Sequence, residues 1–154
     1  MSRAVVRQET YTPEGALRRC NKVFVYGTLK KGYGNHSLLR EAKFIGEALT
    51  LKRFRLFDVG FPYAVPSQRG ARLKGEVYEV NSPEIMKALD WLEGYPSHYK
   101  RQVIMVELEN GQKIEAWIYV VDTPEGREIE PINGVVAWGE DYPYKEEVGD
   151  EFGE

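Results

Sequence analysis

Two stretches decide how this chain is read: VFVYGTLKKGYGNH at residues 23–36 and LDWLEGYPSHYKR at residues 89–101. In the first, KVFVY over Lys22–Tyr26 is a compact β-branched and aromatic run stopped by Gly27, which predicts a strand feeding a sharp turn. A strand that stops at a glycine can expose successive backbone N–H groups, a nest suited to an oxyanion or a carboxylate. Structural turns do the same with no ligand. After the loop at 30–35, Asn35 is placed to cap a short helix over His36–Ala42.

The second stretch ends the main helix. Asn81 precedes Glu84 by three residues, a capping-box spacing, and Pro83 suits the first turn, so the helix should run over Ser82–Leu92 and stop before Gly94. At 100° per residue, Ile85, Leu89 and Leu92 lie within about 60° and define its apolar stripe. Glu93, about 40° from Leu89, shares that stripe and sits at the helix C-terminus, where the backbone carbonyls disfavour an anion. Burial and the helix end both push its pKa towards neutrality, where a carboxylate can take and return a proton. The same position also suits an ordinary surface carboxylate frayed outward before Gly94. Tyr95, Ser97, His98 and Tyr99 in the following turn either line a pocket beside it or cover the sheet edge.

Outward from these stretches, residues 1–20 read as a polar extension or short edge element. Lys43–Phe57 is a long strand or two strands broken near Gly46, and Tyr63–Val65 is a short strand within a Gly- and Pro-rich loop. Ala71–Val80 and Arg101–Leu108 alternate as strands. Asn110-Gly111 is the strongest hairpin signal and joins Arg101–Leu108 to Lys113–Val121. After Asp122 the pattern fades. The order lacks the βα repeat of a doubly wound sheet. An α+β fold is expected, with a mixed, barrel-like sheet, one main helix and a short helix. We read the 154 residues as one domain, with an N-terminal extension at 1–21 and an acidic C-terminal tail at about 144–154.

Composition narrows the chemistry. A formal net charge of −3 argues against a nucleic-acid partner. No run reaches 18 apolar residues and no leader-like segment opens the chain, so a cytoplasmic, membrane-free protein is expected. The single Cys20 excludes an internal disulfide and, with only His36 and His98 as histidines, leaves a transition-metal site unexpected, although carboxylates could hold Mg2+ or Ca2+. The chemistry must come from carboxylates, hydroxyls and backbone groups.

With YGTL at 26–29 and the helix-ending Glu-Gly at 93–94 followed by tyrosine, the chain resembles the gamma-glutamylcyclotransferase-like, or AIG2-like, superfamily. Its closest flavour is gamma-glutamylamine cyclotransferase, and the resemblance covers about 22–121, including the GEVYEV strand. It implies Glu93 as the catalytic acid/base and Tyr26, Gly27, Thr28 and Leu29 as the substrate-holding loop. It further implies Tyr99 and Tyr119 as pocket tyrosines, with Trp117 and Val121 on the sheet face of Tyr119. Asn35 would order the entry loop. Phe57, Phe61, Pro62 and Tyr63 are candidates for a pocket wall or for core. Lys30, Lys31 and Arg40 are candidates for steering an acidic substrate. The implied reaction closes a small anionic gamma-glutamyl amide on itself, giving 5-oxoproline and a free amine with no cofactor, no metal and no protein nucleophile. Two other readings stay open: acyl transfer or amide cleavage on a larger substrate, and a non-catalytic binding protein on the same fold. Whether the protein is a monomer or a homodimer is not readable.

Overall fold

The computed structural model describes residues 10–139. The element order is α1 (Pro13–Arg19), β1 (Lys22–Val25), a 3-10 turn (His36–Leu39), β2 (Lys43–Asp58), β3 (Pro62–Pro66) and β4 (Ala71–Glu79). Then come α2 (Pro83–Glu93), β5 (Lys100–Leu108), β6 (Lys113–Val120), β7 (Arg127–Ile129) and β8 (Val135–Val136). The acidic tail expected at 144–154 lies outside the described residues.

One mixed sheet forms the body. Its path runs β3-β2-β5-β6-β1-β4-β8, and β2 also pairs with β4, so β2, β5, β6, β1 and β4 close into a barrel. The pairs β1–β6 and β4–β8 are parallel, and the other ladders are antiparallel. Closure depends on β2, whose 16 residues pair with both β5 and β4 in the barrel and with β3 and β7 beyond it. Register shifts at Phe44/Gly46 and Leu49/Arg53 bend it, and the first coincides with the break expected near Gly46.

The period of two separates two cores. Phe24 and Tyr26 of the β1 region and Ala116, Ile118 and Val120 of β6 join the cluster that includes Phe54, Leu56, Leu73 and Val77. The alternate residues Val23, Val25, Trp117, Tyr119 and Val121 pack with Ala16, Leu39, Met86 and Leu89 under the helices. Trp117 and Val121 therefore do share the Tyr119 face. Gly75 is required where β4 crosses β1, because a Cβ there would lie 2.4 Å from the Val25 carbonyl oxygen and 2.6 Å from the Phe24 ring.

Several local expectations are corrected. The extension is helical over Pro13–Arg19: Thr12 caps it through Gly15 N–H, Ala16 is fully buried, and the Trp117 indole donates to the carbonyls of Ala16 and Cys20. A short helix whose buried face is two small residues carries too weak a periodic pattern to read. Asn35 precedes the 3-10 turn without a side-chain cap; its amide reaches Thr28 instead. The N-cap of α2 is Ser82, whose hydroxyl accepts from Glu84 N–H, while Asn81 bonds Asn21 and Glu79. The fully buried stripe of α2 is Met86, Leu89 and Asp90, with Ile85 and Leu92 half-buried at its margin. Beyond Asp122, β7 adds to β2 and β8 to β4, strands too short to show alternation. The Asn110-Gly111 hairpin forms, with positive φ at Gly111 alone and Asn110 Oδ1 accepting from Gln112 N–H.

Candidate active site

The strand β1 ends at Val25, and the chain turns at Gly27, where Lys30 N–H donates to the Gly27 carbonyl at 3.0 Å. The turn is pinned from its far side. Asn35 N–H donates to the Thr28 carbonyl at 3.0 Å and its side-chain amide to Thr28 Oγ1 at 2.8 Å. His36 Nδ1 lies 3.0 Å from the Leu29 carbonyl, which can only accept, so Nδ1 carries the proton. Lys31 N–H donates to Glu76 Oε1 at 3.1 Å. The N–H groups of Gly27, Thr28 and Leu29, by contrast, make no hydrogen bond among the described residues. Three successive unused amides on a fixed turn are suited to an anionic oxygen.

Gly27 has a second role. A Cβ there would meet Pro62 Cγ at 2.8 Å and Cδ at 3.2 Å, so the first residue of β3 packs directly on the glycine. The Pro62 carbonyl in turn accepts from the Tyr99 hydroxyl at 3.1 Å.

Opposite this turn, α2 closes with Gly94 in the left-handed conformation (φ 68°, ψ 32°). The N–H groups of Gly94 and Tyr95 return to the carbonyls of the last helical turn, so the helix stops without fraying and Glu93 stays on its inner side. Gly27, Thr28, Leu29, Glu93, Tyr99 and Tyr119 line one cavity of about 400 Å³, together with Tyr26 and Asn35. The residues expected to act on or hold the substrate are thus brought to the same place. Phe61, Pro62, Leu92 and His98 complete the wall, with Phe24 and Val25 at its base. Phe57 and Tyr63, weighed as wall residues, stack on each other in the core, and the Tyr63 hydroxyl donates to the Glu125 carbonyl. Lys30 and Lys31 do not line the cavity. Lys30 is fully buried with Nζ 2.8 Å from the Trp138 carbonyl, and Lys31 Nζ lies 3.5 Å over the Phe44 ring.

Burial raises the Glu93 pKa from 4.5 to about 7. Among the described residues its carboxylate has no hydrogen-bond or ion-pair partner. Burial also raises the hydroxyl pKa values of Tyr26, Tyr99 and Tyr119, and the nearby Glu93 charge adds to the shift in each. The three hydroxyl protons are committed elsewhere: Tyr26 donates to the Tyr119 carbonyl at 2.7 Å, Tyr99 to Pro62, and Tyr119 to Asp90 Oδ1 at 2.5 Å. The cavity therefore joins a carboxylate whose pKa burial raises to about 7 with a turn that carries three unused amides. No trio of His, Cys, Asp or Glu among the described residues is arranged to hold a metal ion, and no helix among them is long and apolar enough to cross a membrane.

Sequence reasoning missed Asp90 and Arg101, which meet beneath this site. Their signal was a charged residue on the buried face of an amphipathic helix and another in a strand.

The chain has known counterparts in sequence and in fold. Residues 23–139 match the family described as gamma-glutamyl cyclotransferase, AIG2-like, and the chain belongs to that family. The match extends past the expected limit near Val121 to include β7 and β8. A protein of Methanocaldococcus jannaschii, provisionally assigned as a gamma-glutamylcyclotransferase, is 41% identical over 98 residues, covering 63% of this chain and 81% of its own. The gamma-glutamylaminecyclotransferase of Bos taurus is 37% identical over 116 residues, covering 68% of each chain. The crystal structure of an AIG2-like protein from Mus musculus superposes with a TM-score of 0.61 at 30% identity, covering 68% of this chain and 79% of that one.

Proposed function

We propose that the protein is a gamma-glutamyl cyclotransferase in which Glu93 carries the proton. The observation that supports this best is the Glu93 pKa of about 7 in a cavity shared with the unused amides of Gly27, Thr28 and Leu29. The substrate is a gamma-glutamyl amide whose alpha-ammonium group gives a proton to the Glu93 carboxylate. The freed amine attacks the gamma-carbonyl carbon, forming the C–N bond of a five-membered ring and an oxyanion. The tetrahedral intermediate collapses, the original amide C–N bond breaks as Glu93 returns its proton to the departing nitrogen, and the second proton of the ring nitrogen passes to the released amine, leaving the neutral lactam. The products are 5-oxoproline and a free amine, and no water is consumed.

The three loop amides suit either the alpha-carboxylate or the developing oxyanion. Holding amine and carbonyl in contact supplies much of the rate, because the reaction is intramolecular. Tyr99 and Tyr119 spend their protons on Pro62 and Asp90, so towards the substrate their oxygens act as acceptors, which suits an ammonium. Among the described residues, the cavity lining contains no lysine or arginine. A leaving group with its own carboxylate finds no strong cation there, which favours gamma-glutamyl amines over gamma-glutamyl dipeptides. The mild net negative charge agrees with a small-molecule substrate in place of a nucleic acid.

Incubation with a panel of gamma-glutamyl amines and dipeptides should release 5-oxoproline, read by chromatography. The Glu93→Gln variant should lose on the order of 10²-fold or more of that rate. Release by the variant at the unaltered rate removes Glu93 from the chemistry. No release from any member of the panel removes the activity.

A further inference from the structure

Lys30 stands at the end of the turn that carries the three unused amides. Its N–H donates to the Gly27 carbonyl at 3.0 Å, which closes the turn, and its own carbonyl accepts from Tyr33 N–H at 3.2 Å. The side chain does not line the cavity. It is 0% exposed, and Nζ donates to the Trp138 carbonyl at 2.8 Å. Taking an ammonium group out of water is costly unless it is hydrogen-bonded, and an apolar side chain of similar length would fill the same space without that cost. What the ammonium adds is direction. A hydrogen bond fixes the distance and angle between two pieces of chain, which apolar packing does not.

The piece it reaches is anchored elsewhere. Val135 and Val136 form β8 beside Arg72 and Leu73 of β4, Val136 packs in the barrel core, and Ala137 is fully buried. From that anchor Trp138 and Gly139 extend to the loop after Gly27. The Trp138 ring lies 5.1 Å from the Tyr33 ring, and a Cβ on Gly139 would run into the Tyr33 phenol. The next residue of the loop is held from β4 as well: Glu76, itself buried, accepts from Lys31 N–H at 3.1 Å and from the Tyr78 hydroxyl at 2.9 Å. With Asn35 on the Thr28 carbonyl and His36 on the Leu29 carbonyl, the turn is held from both sides.

We propose that Lys30 is a positioning residue for the substrate turn: its buried ammonium ties the chain after β8 to the loop, and so sets where the N–H groups of Gly27, Thr28 and Leu29 point. The functional meaning rests on the reading of those amides as the holders of a substrate oxygen. An internal role replaces the steering expected of Lys30, since its charge meets a backbone carbonyl and not the cavity. Amide donors stabilise an anionic oxygen only when they converge on it at hydrogen-bond distance, so a small rotation of the turn weakens binding without touching Glu93. Residues 135–139 thereby serve the site although none of them lines it.

The test is Lys30→Met, which keeps the length of the side chain and removes the donor. Leu108→Ala, which cuts into the barrel core away from the loop, is the control for lost stability. Lys30→Met should bind 5-oxoproline about tenfold more weakly by calorimetry and lose about tenfold in kcat/KM. 5-Oxoproline carries both the carboxylate and the former gamma-carbonyl oxygen, so it reports on the amides whichever of these they hold. Hydrogen exchange should quicken at the amides of residue 30 and Asn35, the two that close the turn. The Glu93 carboxyl, titrated by 13C NMR on glutamate-labelled full-length protein, should keep its midpoint. Leu108→Ala should lower stability and leave binding, kcat/KM and exchange at the turn unchanged. A Lys30→Met variant that is less stable yet binds 5-oxoproline and exchanges at Asn35 as the wild type does overturns the proposal, and so does a matching loss in Leu108→Ala. If Lys30→Met does not fold, Trp138→Leu, which removes the ring against Tyr33, decides in its place: unchanged affinity and unchanged exchange at the turn are then fatal. Should the wild type neither bind 5-oxoproline nor release it from any gamma-glutamyl substrate, the cyclotransferase reading falls. Exchange at residue 30 and Asn35, which needs no ligand, then decides alone whether Lys30 sets the turn.

Discussion

At the scale of single residues, Glu93 sets function against stability. Its pKa of about 7 in the fold lies above its value of 4.5 in the open chain, so the folded state favours the neutral acid. The contribution is complete below about pH 4.5 and is lost as pH rises through 7. Urea unfolding of wild type and Glu93→Gln at pH 5 and pH 8 should therefore diverge, the wild type losing on the order of 2 kcal/mol relative to the variant at the higher pH. Parallel pH dependences would show that Glu93 titrates normally. Gly27 supports a second prediction at this scale. Gly27→Ala drives its Cβ into the Pro62 ring and displaces the turn that carries the amides. Activity should fall on the order of tenfold in kcat/KM with the fold retained by circular dichroism. Glu93 was legible because helical spacing and a following glycine locate it without knowledge of the sheet. The contact between Gly27 and Pro62 was not, because it joins two turns that only strand pairing brings together.

At the scale of elements, α2 is defined by its ends. Ser82 caps it at the start and Gly94 stops it immediately after Glu93. Ser82→Ala should cost about 1 kcal/mol in thermal or urea unfolding. Its effect on the Glu93 titration should be nil, since three turns of helix separate cap from site. A shifted Glu93 midpoint would mean that the cap positions the carboxylate. The existence of this helix and of the main strands was readable from periodicity. The choice of Ser82 over Asn81 as cap was not, because both residue types suit the position and Asn81 is diverted by Asn21 and Glu79. Nor were α1, β7 and β8 readable, being short elements held by partners distant in sequence.

At the scale of the whole molecule, polar contacts tie the helices to the barrel beneath them. Trp117 makes two of them, donating to the carbonyls of Ala16 and Cys20 while its ring covers Arg101. Trp117→Phe should cost on the order of 1–2 kcal/mol and loosen α1 before it loosens the barrel. Hydrogen exchange is the measurement: faster exchange over 13–20 with β1 unchanged fits this account, and uniform acceleration contradicts it. Such a contact, between positions about a hundred residues apart, leaves no local trace in sequence.

The amino-acid sequence by itself determined where the main strands and the main helix lie, that the helix ends in a carboxylate at its apolar stripe, and that a glycine turn follows the first strand. These follow from steric preference and periodicity, which act within a few residues. Tertiary structure alone decided that β2 closes the barrel against β4, that the turn and the helix end face one cavity, and that Asp90 meets Arg101 beneath it. Those outcomes depend on burial and on pairings across the chain, and the electrostatic character of Glu93 is a property of that packed environment.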